Sequence, residues 1–273
     1  MRTANKGLSR RTFIIGGIGL LSYLYFNVHS LAVKHYTIAI DGLPQEFEGF
    51  TILHLTDLHA KKYGDQQDKL INLINRQNFD MVAMTGDFID KDNPDLEPTL
   101  ALIQGLAAKP IFFVPGNHEW RHDFRIKSSL EEHGVKILDN KNAKLAKGDA
   151  QLWLAGVDDP YLHRDKLEEA LHGIADVQPK VLLAHAPNIF KPAAASGVEL
   201  VLVGHTHGGQ VRLPLIGAIV APGQGLFPQY DYGHFTAGST NMIVNGGLGE
   251  STLPLRFCSR PEIVLVKLVS ALQ

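Results

Sequence analysis

Residues 50–59 read FTILHLTDLH, an apolar run that ends in Asp57 and His59. A short apolar run rich in branched residues predicts a buried β-strand, here over Phe50–Thr56. Residues two apart in an extended chain face the same side, so Asp57 and His59 are expected to point in one direction. The stretch predicts a strand that delivers a carboxylate and an imidazole to its carboxyl end.

Strands and helices alternate downstream of this run. Helical spacing of apolar residues predicts helices over Gln66–Asn78 and Asp95–Ala107, and apolar runs predict strands over Asp80–Thr85 and Pro110–Val114. The resulting βαβαβ order predicts a parallel sheet with helices packed on it.

The pattern continues and then changes in the last quarter of the chain. Four more strands are predicted before residue 204: Val135–Leu138, Gln151–Val157, Lys180–His185 and Glu199–Val203. Three more helices are predicted as well: Arg125–His133, Asp165–Gly173 and a short helix begun by a proline between the last two strands. Eleven of the 26 glycines fall between Gly204 and Gly249. Strands Gln210–Leu213, Asn241–Val244 and Glu262–Leu268 are expected to form a second sheet with long loops, antiparallel or mixed.

Composition excludes several classes of protein. The 273 residues are 45% hydrophobic and 20% charged, as in an ordinary globular chain. The net charge of −2 argues against a strongly basic nucleic-acid binder, so no nucleic-acid binding is expected. The single cysteine, Cys258, excludes an intrachain disulfide framework and any multi-cysteine metal site.

The N-terminus has the features of an export signal. Four of the 26 basic residues, Arg2, Lys6, Arg10 and Arg11, lie within the first eleven residues, which leaves 22 basic against 28 acidic residues and a charge of −6 on the rest of the chain. Residues 12–33 contain no Asp, Glu, Lys or Arg. The twin arginines Arg10 and Arg11 stand directly before this run, a context that resembles a twin-arginine (Tat) signal.

Two fates of this leader remain open. Small residues at Ser30 and Ala32 suit a signal peptidase, whereas an uncharged run of 22 residues is about long enough to cross a bilayer of ~30 Å. Residues 1–33 are therefore interpreted as a Tat signal or an N-terminal membrane anchor, and residues 34–273 as the folded domain. Export by the Tat translocase would place that domain at the periplasmic or extracytoplasmic face of the cytoplasmic membrane, anchored or released.

Potential metal ligands cluster at the predicted strand ends. In open α/β sheets, ligands collect beyond the carboxyl ends of the strands. Five segments therefore bring two aspartates, one asparagine and four histidines to one rim: Asp57 and His59, Asp87, Asn117, His185, and His205 with His207.

These motifs resemble those of the calcineurin-like metallophosphoesterases, whose pattern is D-x-H, G-D-x-x-[DE], G-N-H-[DE], a lone H and G-H-x-H. The later Asn245-Gly-Gly-Leu-Gly and Pro261-Glu-Ile are similar to the Tat-exported bacterial branch of YkuE/YaeI-type phosphodiesterases. The elements are matched in order by Asp57 and His59, Asp87 and Asp90, Asn117 and His118, His185, and His205 and His207.

The resemblance implies a fold, a metal centre and a reaction. The fold would be an α/β four-layer αββα sandwich of two mixed β-sheets flanked by helices. Two divalent ions, drawn from Mn, Fe, Zn, Co or Ni, would share Asp87; one would be held by Asp57, His59 and His207, the other by Asn117, His185 and His205. Such ions activate water and clamp phosphoryl oxygens. His118 would donate a proton to the leaving oxygen, oriented by Asp90.

The expected activity is hydrolysis of phosphodiester or pyrophosphate bonds outside the cytoplasmic membrane. Lipid-linked substrates, including UDP-diacylglucosamine-like ones, and soluble phosphodiesters fit equally well. One alternative is a degenerate phosphoesterase fold that serves as a membrane-proximal binding or scaffold module, although every ligand position holds a competent residue. Another is an amidohydrolase-type metal hydrolase, which would need a barrel of eight βα units that this pattern lacks.

Overall fold

The computed structural model describes residues 10–209, 211–213, 216–250 and 256–271. The helices, in chain order, are α1 (Arg10–His29), α2 (Asp68–Ile74), α3 (Glu97–Leu106), α4 (Asn117–Trp120), α5 (Lys127–Glu132), α6 (Leu167–Leu171) and α7 (Phe190–Ala195). The strands are β1 (Ala32–Ile40), β2 (Thr51–Leu55), β3 (Met81–Thr85), β4 (Ile111–Val114), β5 (Lys136–Ile137), β6 (Lys141–Lys147), β7 (Ala150–Gly156), β8 (Lys180–Leu183), β9 (Leu200–Val203), β10 (Arg212–Leu213), β11 (Gly217–Ala218), β12 (Val220–Ala221), β13 (Gly225–Leu226), β14 (Gly233–Ala237), β15 (Thr240–Val244) and β16 (Glu262–Ser270).

Two six-stranded mixed sheets carry the fold. The first has the order β1-β16-β2-β3-β4-β5, with β16 antiparallel to β2 and the other pairs parallel. The second has the order β14-β15-β9-β8-β7-β6, parallel through its centre and antiparallel at both edges. The predicted parallel unit β2-β3-β4 is confirmed.

Alternation along the strands divides the apolar side chains among three cores. In β2, Leu53 packs toward helices α2 and α3, whereas its neighbour Ile52 packs against the second sheet. In β9, Leu202 faces the first sheet and Val201 faces Phe190 of α7. Each sheet thus buries one face on the other sheet and one face under helices. The four-layer αββα sandwich is confirmed.

The expected grouping of the last strands is wrong. Strand β15 joins the second sheet beside β9, whereas β16 inserts between β1 and β2 of the first sheet. The predicted strand Gln210–Leu213 survives only as β10, which pairs with β11 in a small hairpin; Gln210 lies outside the described residues. Hydrogen-bonding partners far apart in sequence, rather than local pattern, determine these positions.

The N-terminal part of the described chain is a helix followed by an edge strand. Residues 1–9 of the predicted leader lie outside the described residues, and Arg10 begins α1. The edge strand β1 begins at Ala32, within the last two residues of the predicted leader, and pairs with β16. Within the described ranges, no helix combines the length and apolar character needed to cross a bilayer.

Candidate metal centre

The predicted ligands lie together at the carboxyl ends of the strands of both sheets. Backbone hydrogen bonds tie these ends to one another: the Asp57 N–H donates to the Gly86 carbonyl at 3.0 Å, and the Gly204 N–H donates to the His185 carbonyl at 2.9 Å. The His205 N–H in turn donates to the Asp57 carboxylate at 3.0 Å. The two sheets therefore meet at this site rather than flank it at a distance.

The backbone at these residues is in an unusual conformation. Five of the predicted site residues have positive φ angles between 49° and 68°, a region that residues other than glycine seldom occupy: Asp57, His59, Asp87, His205 and His207. Such conformations persist only where the surrounding structure enforces them, and they cluster at functional sites. The clustering of these five residues is an indication of function that is independent of motif matching.

One set of donor atoms comes from Asp57, His59 and His207. The two Nε2 atoms of the histidines lie 3.1 Å apart, and the Asp57 Oδ1 lies 3.8 Å from the first and 3.6 Å from the second. All three side chains are buried. A divalent ion with ligands at about 2.0–2.2 Å fits among donors with this spacing.

A second set comes from Asp87, His185 and His205. The His185 Nε2 lies 3.2 Å from the Asp87 Oδ2 and 3.0 Å from the His205 Nδ1. The same Asp87 oxygen lies 3.9 Å from the His59 Nε2 of the first set. Asp87 therefore stands between the two sets, where a carboxylate could serve both.

Asn117 completes the second set by position. It begins α4 directly after Gly116, and a Cβ built at Gly116 would come within 2.8 Å of both the Asp87 nitrogen and the His185 Nδ1. The absence of a side chain at Gly116 lets this turn approach the ligands closely. The Asn117 Oδ1 is buried and has no hydrogen-bond partner among the described residues. A buried carbonyl oxygen without a partner is costly unless something binds it, and a metal ion would do so.

Burial leaves most of the imidazoles neutral and able to coordinate. It lowers the pKa of His59 and of His205 to about 3, and it lowers the pKa of His207 well below its ordinary value. Burial also raises the pKa of Asp57 to about 7. The donors, neutral nitrogens with carboxylate and amide oxygens, suit divalent transition-metal ions.

Asp87 and His185 behave as a charged pair. Burial opposes the charged form of each, but their mutual attraction outweighs it, so the pKa of Asp87 falls well below and that of His185 rises well above its ordinary value. A proton therefore sits on His185 in the metal-free protein, and a metal ion would have to displace it.

His118 lies beside the first set of ligands. Its Nε2 is 3.8 Å from the Asp87 Oδ2, and its Nδ1 accepts a hydrogen bond from the Lys91 N–H at 2.9 Å. The Asp90 Oδ2 lies 3.8 Å from the Nδ1, beyond hydrogen-bonding distance, and the Asp90 Oδ1 accepts the Asp92 N–H instead. The Lys91 amide therefore makes Nδ1 an acceptor and leaves the proton of the neutral ring on Nε2, while the role of Asp90 in orienting the ring stays a prediction.

Glu119 has a role that the motif comparison missed. Its carboxylate is fully buried and accepts the N–H groups of Asp87, Phe88 and Gly116, each at 2.8 Å. It thereby ties the turn that carries Asp87 to the turn that carries Asn117. Its place in the G-N-H-[DE] motif was the available signal, because a carboxylate among backbone amides can hold two turns together.

Comparison with known proteins agrees with this geometry. Residues 50–209 match the calcineurin-like phosphoesterase family. The chain is 31% identical to an uncharacterized metallophosphoesterase, YkuE, of Bacillus subtilis, over 97% of this chain and 99% of that protein. It is 30% identical to a second one, YkoQ, over 87% and 91% of the respective chains.

Solved structures include more distant relatives. A dimetal phosphatase from Danio rerio aligns with a TM-score of 0.45 and 13% identity, over 73% of this chain and 88% of that one. The family match covers more than half of the chain, and the similarity to YkuE extends over nearly all of it. The chain therefore belongs to the calcineurin-like phosphoesterases and is a metal-dependent phosphoric ester hydrolase.

Proposed function

We propose that the protein is a two-metal phosphoesterase that cleaves phosphodiester or pyrophosphate bonds at the outer side of the cytoplasmic membrane. The observation that carries the two-metal part is the position of the Asp87 Oδ2, 3.9 Å from the His59 Nε2 and 3.2 Å from the His185 Nε2. A single carboxylate oxygen between two groups of buried imidazoles is suited to share two cations.

Each ion would have its own ligands in addition to Asp87. Asp57, His59 and His207 would hold one, and Asn117, His185 and His205 would hold the other. When bound, such ions lower the pKa of a water molecule and neutralise charge on the phosphoryl oxygens. Mn, Fe, Zn, Co and Ni all suit these donors.

The remaining proton chemistry would fall to His118. Burial lowers the pKa of His118 although Asp87 and Asp90 act in the opposite direction. With the Lys91 amide on its Nδ1, the ring presents Nε2 toward the metal ligands. To act as a general acid, His118 would take up a second proton on Nδ1, so the Lys91 N–H would have to leave that atom. The Asp90 Oδ2, 3.8 Å away, could then accept the Nδ1 proton, and the charged ring could protonate the leaving oxygen through Nε2.

Support for action at a membrane comes from the sequence and from the surface. Helix α1, which begins with the twin arginines, leaves many large apolar side chains exposed: Phe13, Ile14, Ile15, Ile18, Leu21, Tyr25 and Phe26. A second group of exposed apolar residues, Val220, Leu226 and Phe227, lies on the hairpin β12–β13, whose tip at Gly223 approaches His205. Exposed apolar surface beside a site suits a lipid surface or a lipid-linked substrate.

The experiment that tests the proposal combines metal analysis with a substrate panel. The full chain, purified after export, is stripped of metal, reconstituted with Mn²⁺ or Zn²⁺, and assayed on bis(p-nitrophenyl) phosphate, p-nitrophenyl phosphate and a lipid-linked pyrophosphate. The expected result is two ions per chain and hydrolysis of a diester or pyrophosphate, both reduced by Asp87→Asn. Metal-free protein that still binds the lipid-linked ligand, with no hydrolysis of any substrate, would favour the binding-module alternative.

A further inference from the structure

A cavity of about 310 Å³ lies beside His205, outside the group of metal ligands. Its walls come from the loop after β7, the segment after β8 and the tip of the hairpin β12–β13, and include Tyr161, Asn188, His205, Pro222, Gly223 and Gln224. The ring of Tyr161 lies over that of His205, with centroids 4.6 Å apart and planes inclined by 39°. Tyr161 is nevertheless 43% exposed, so part of its side chain is accessible to a ligand.

The walls of this cavity are held in place by hydrogen bonds. The Asn188 Nδ2 donates to the Pro160 carbonyl at 2.7 Å, and the Asp159 Oδ1 accepts the Tyr161 N–H at 2.9 Å. On the opposite wall, the Gln224 side chain accepts the Tyr230 N–H and donates to the Tyr230 carbonyl. These hydrogen bonds hold the loop that carries Tyr161 and the hairpin tip in fixed positions before a ligand binds, which lowers the entropic cost of binding.

His205 turns an unused polar atom toward this cavity. Its Nδ1 faces His185 and the second group of ligands, whereas its Nε2 is buried and has no partner within the described part of the chain. A ring that coordinates through Nδ1 carries its hydrogen on Nε2, so His205 would offer a donor there. A side chain at position 223 would crowd this point, since a Cβ built on Gly223 would lie 3.5 Å from the Nε2 and only 3.1 Å from the Tyr161 ring.

The cavity and the proposed proton donor His118 lie beside different residues of the proposed metal centre. His118 packs on His59, with ring centroids 4.4 Å apart, whereas Tyr161 packs on His205. The oxygen that His118 would protonate belongs to the leaving group. The substituent that stays on phosphorus after cleavage is then the one that can extend toward Tyr161.

We propose that Tyr161 and the Nε2 of His205 form a subsite for a ring on the retained substituent of a phosphodiester, with Tyr161 as a specificity-determining residue. The ring would stack on Tyr161 and present a hydrogen-bond acceptor to His205. A nucleobase and a sugar ring share this chemistry. The proposal rests on the proposed function, because it assigns a substrate feature to that same site.

The test compares three diesters that share the p-nitrophenolate leaving group and differ in the retained substituent: thymidine 5′-(p-nitrophenyl) phosphate, glucose 6-(p-nitrophenyl) phosphate and methyl p-nitrophenyl phosphate. Metal-loaded wild type is assayed beside Tyr161→Ala and Tyr161→Phe. Leu162→Ala is the matched control, since Leu162 is the next residue and is 41% exposed. Metal content and thermal unfolding confirm that each variant is intact.

Loss of stacking predicts a selective effect. For the thymidine or the glucose diester, whose retained substituent contains a ring, Tyr161→Ala should raise KM and lower kcat/KM about tenfold. Stacking of a ring on an aromatic side chain contributes about 1–3 kcal/mol. The methyl diester should be unaffected, and Tyr161→Phe and Leu162→Ala should behave like wild type. The preferred substrate of wild type, thymidine or glucose, identifies the source of the ring. Equal loss on all three diesters in Tyr161→Ala, or equal loss in Leu162→Ala, would overturn the proposal.

A binding measurement separates the subsite from the reaction. Calorimetric titration with thymidine 5′-monophosphate, glucose 6-phosphate and methyl phosphate should show tighter binding of a ring-bearing monoester, and Tyr161→Ala should abolish the difference. Ring-dependent binding without hydrolysis of any diester would leave the subsite standing and refute the proposed function. Hydrolysis of the diesters without any preference for a ring would support the proposed function and refute the subsite. If neither hydrolysis nor ring-dependent binding is found, both the proposed function and the subsite are refuted.

Discussion

The Nε2 atoms of His59 and His207 lie 3.1 Å apart although they belong to residues on different sheets, after β2 and β9. Burial keeps both rings neutral, and the Asp57 carboxylate lies within 3.8 Å of each. Two neutral ring nitrogens that face each other beside a carboxylate gain little from direct contact, but a cation between them could be coordinated by all three groups.

Removal of His207 should therefore release metal without unfolding the protein. For His207→Ala we expect the metal content to fall by one of the two ions, while the second group, with His185 and His205, keeps its ion. Elemental analysis after dialysis measures this. His234→Ala is the control, because His234 is an exposed histidine outside the site, whose Nε2 hydrogen-bonds with the Asn241 side chain. Unchanged metal content in His207→Ala would contradict the assignment.

Removal of the proposed proton donor should separate turnover from metal binding. His118→Asn keeps a side chain of moderate size and should lower kcat by about 10²-fold or more, the usual contribution of a general acid. Metal content should equal that of wild type, since His118 is not assigned as a ligand. A parallel loss of metal would show that His118 coordinates an ion.

The charged pair of Asp87 and His185 predicts proton release on metal binding. The raised pKa of His185 means that the metal-free site holds a proton at neutral pH, and coordination of the Nε2 requires its loss. Calorimetric titration of the metal-free protein with Zn²⁺ at pH 7, in two buffers of different ionisation enthalpy, should give different apparent heats. Identical heats in the two buffers would mean that no proton leaves.

His54 should make the fold sensitive to acid. It is fully buried within β2, where its Nε2 lies 2.8 Å from the Thr85 hydroxyl, and burial lowers its pKa to about 3. The folded state keeps the ring neutral while the unfolded chain takes up a proton below about pH 6.5, so stability present above that pH is lost as pH falls toward 3. Between pH 7 and pH 5 this loss amounts to about 2 kcal/mol.

The variant His54→Gln removes this titration. Urea unfolding of both metal-free proteins at pH 7 and pH 5 should therefore show a smaller acid destabilisation in the variant, by about 2 kcal/mol. The other buried histidines contribute equally to both proteins and cancel in the comparison. Equal pH dependence of the two proteins would show that His54 is protonated in the fold or titrates elsewhere.

The proposed export route makes a prediction about the twin arginines. Replacement of Arg10 and Arg11 by lysine keeps the charge of the leader but removes the feature that the Tat translocase reads. Fractionation of cells should find this variant inside the cytoplasm and wild type outside it. Arg2→Lys, in the same leader, is the matched control, and export of the double lysine variant at the wild-type level would refute the Tat assignment.

Local sequence pattern predicted the elements that carry the site. Buried parallel strands read as continuous apolar runs, and the carboxylates and imidazoles directly after β2, β3 and β9 stand out against them. The structure brings Asp57, His59, Asp87, Asn117, His185, His205 and His207 to one place, as the strand-end pattern predicts. Their roles as ligands are proposals that the experiments above test.

The local sequence pattern could not predict which strands pair over long distances or which loop residues contact the site. The edge strand β1 begins at Ala32, inside the apolar run of the predicted leader, so the sequence pattern does not reveal where the strand starts. The position of β16 depends on partners more than 200 residues away in sequence. Tyr161 carries no motif, and only the fold of the loop after β7 brings its ring to His205.

The position of β16 has a consequence for biosynthesis. Until residue 270 has emerged from the ribosome, the edges of β1 and β2 that face each other have no strand between them, and the first sheet exists only as separate pieces. The turn 245–249, whose Gly249 N–H donates to the Asp57 carbonyl, is fastened just before this last strand. The backbone at Asp57, the first ligand in the sequence, is thus completed by residues about 190 positions later, and a truncation that removes β16 should leave an aggregation-prone pair of open strand edges.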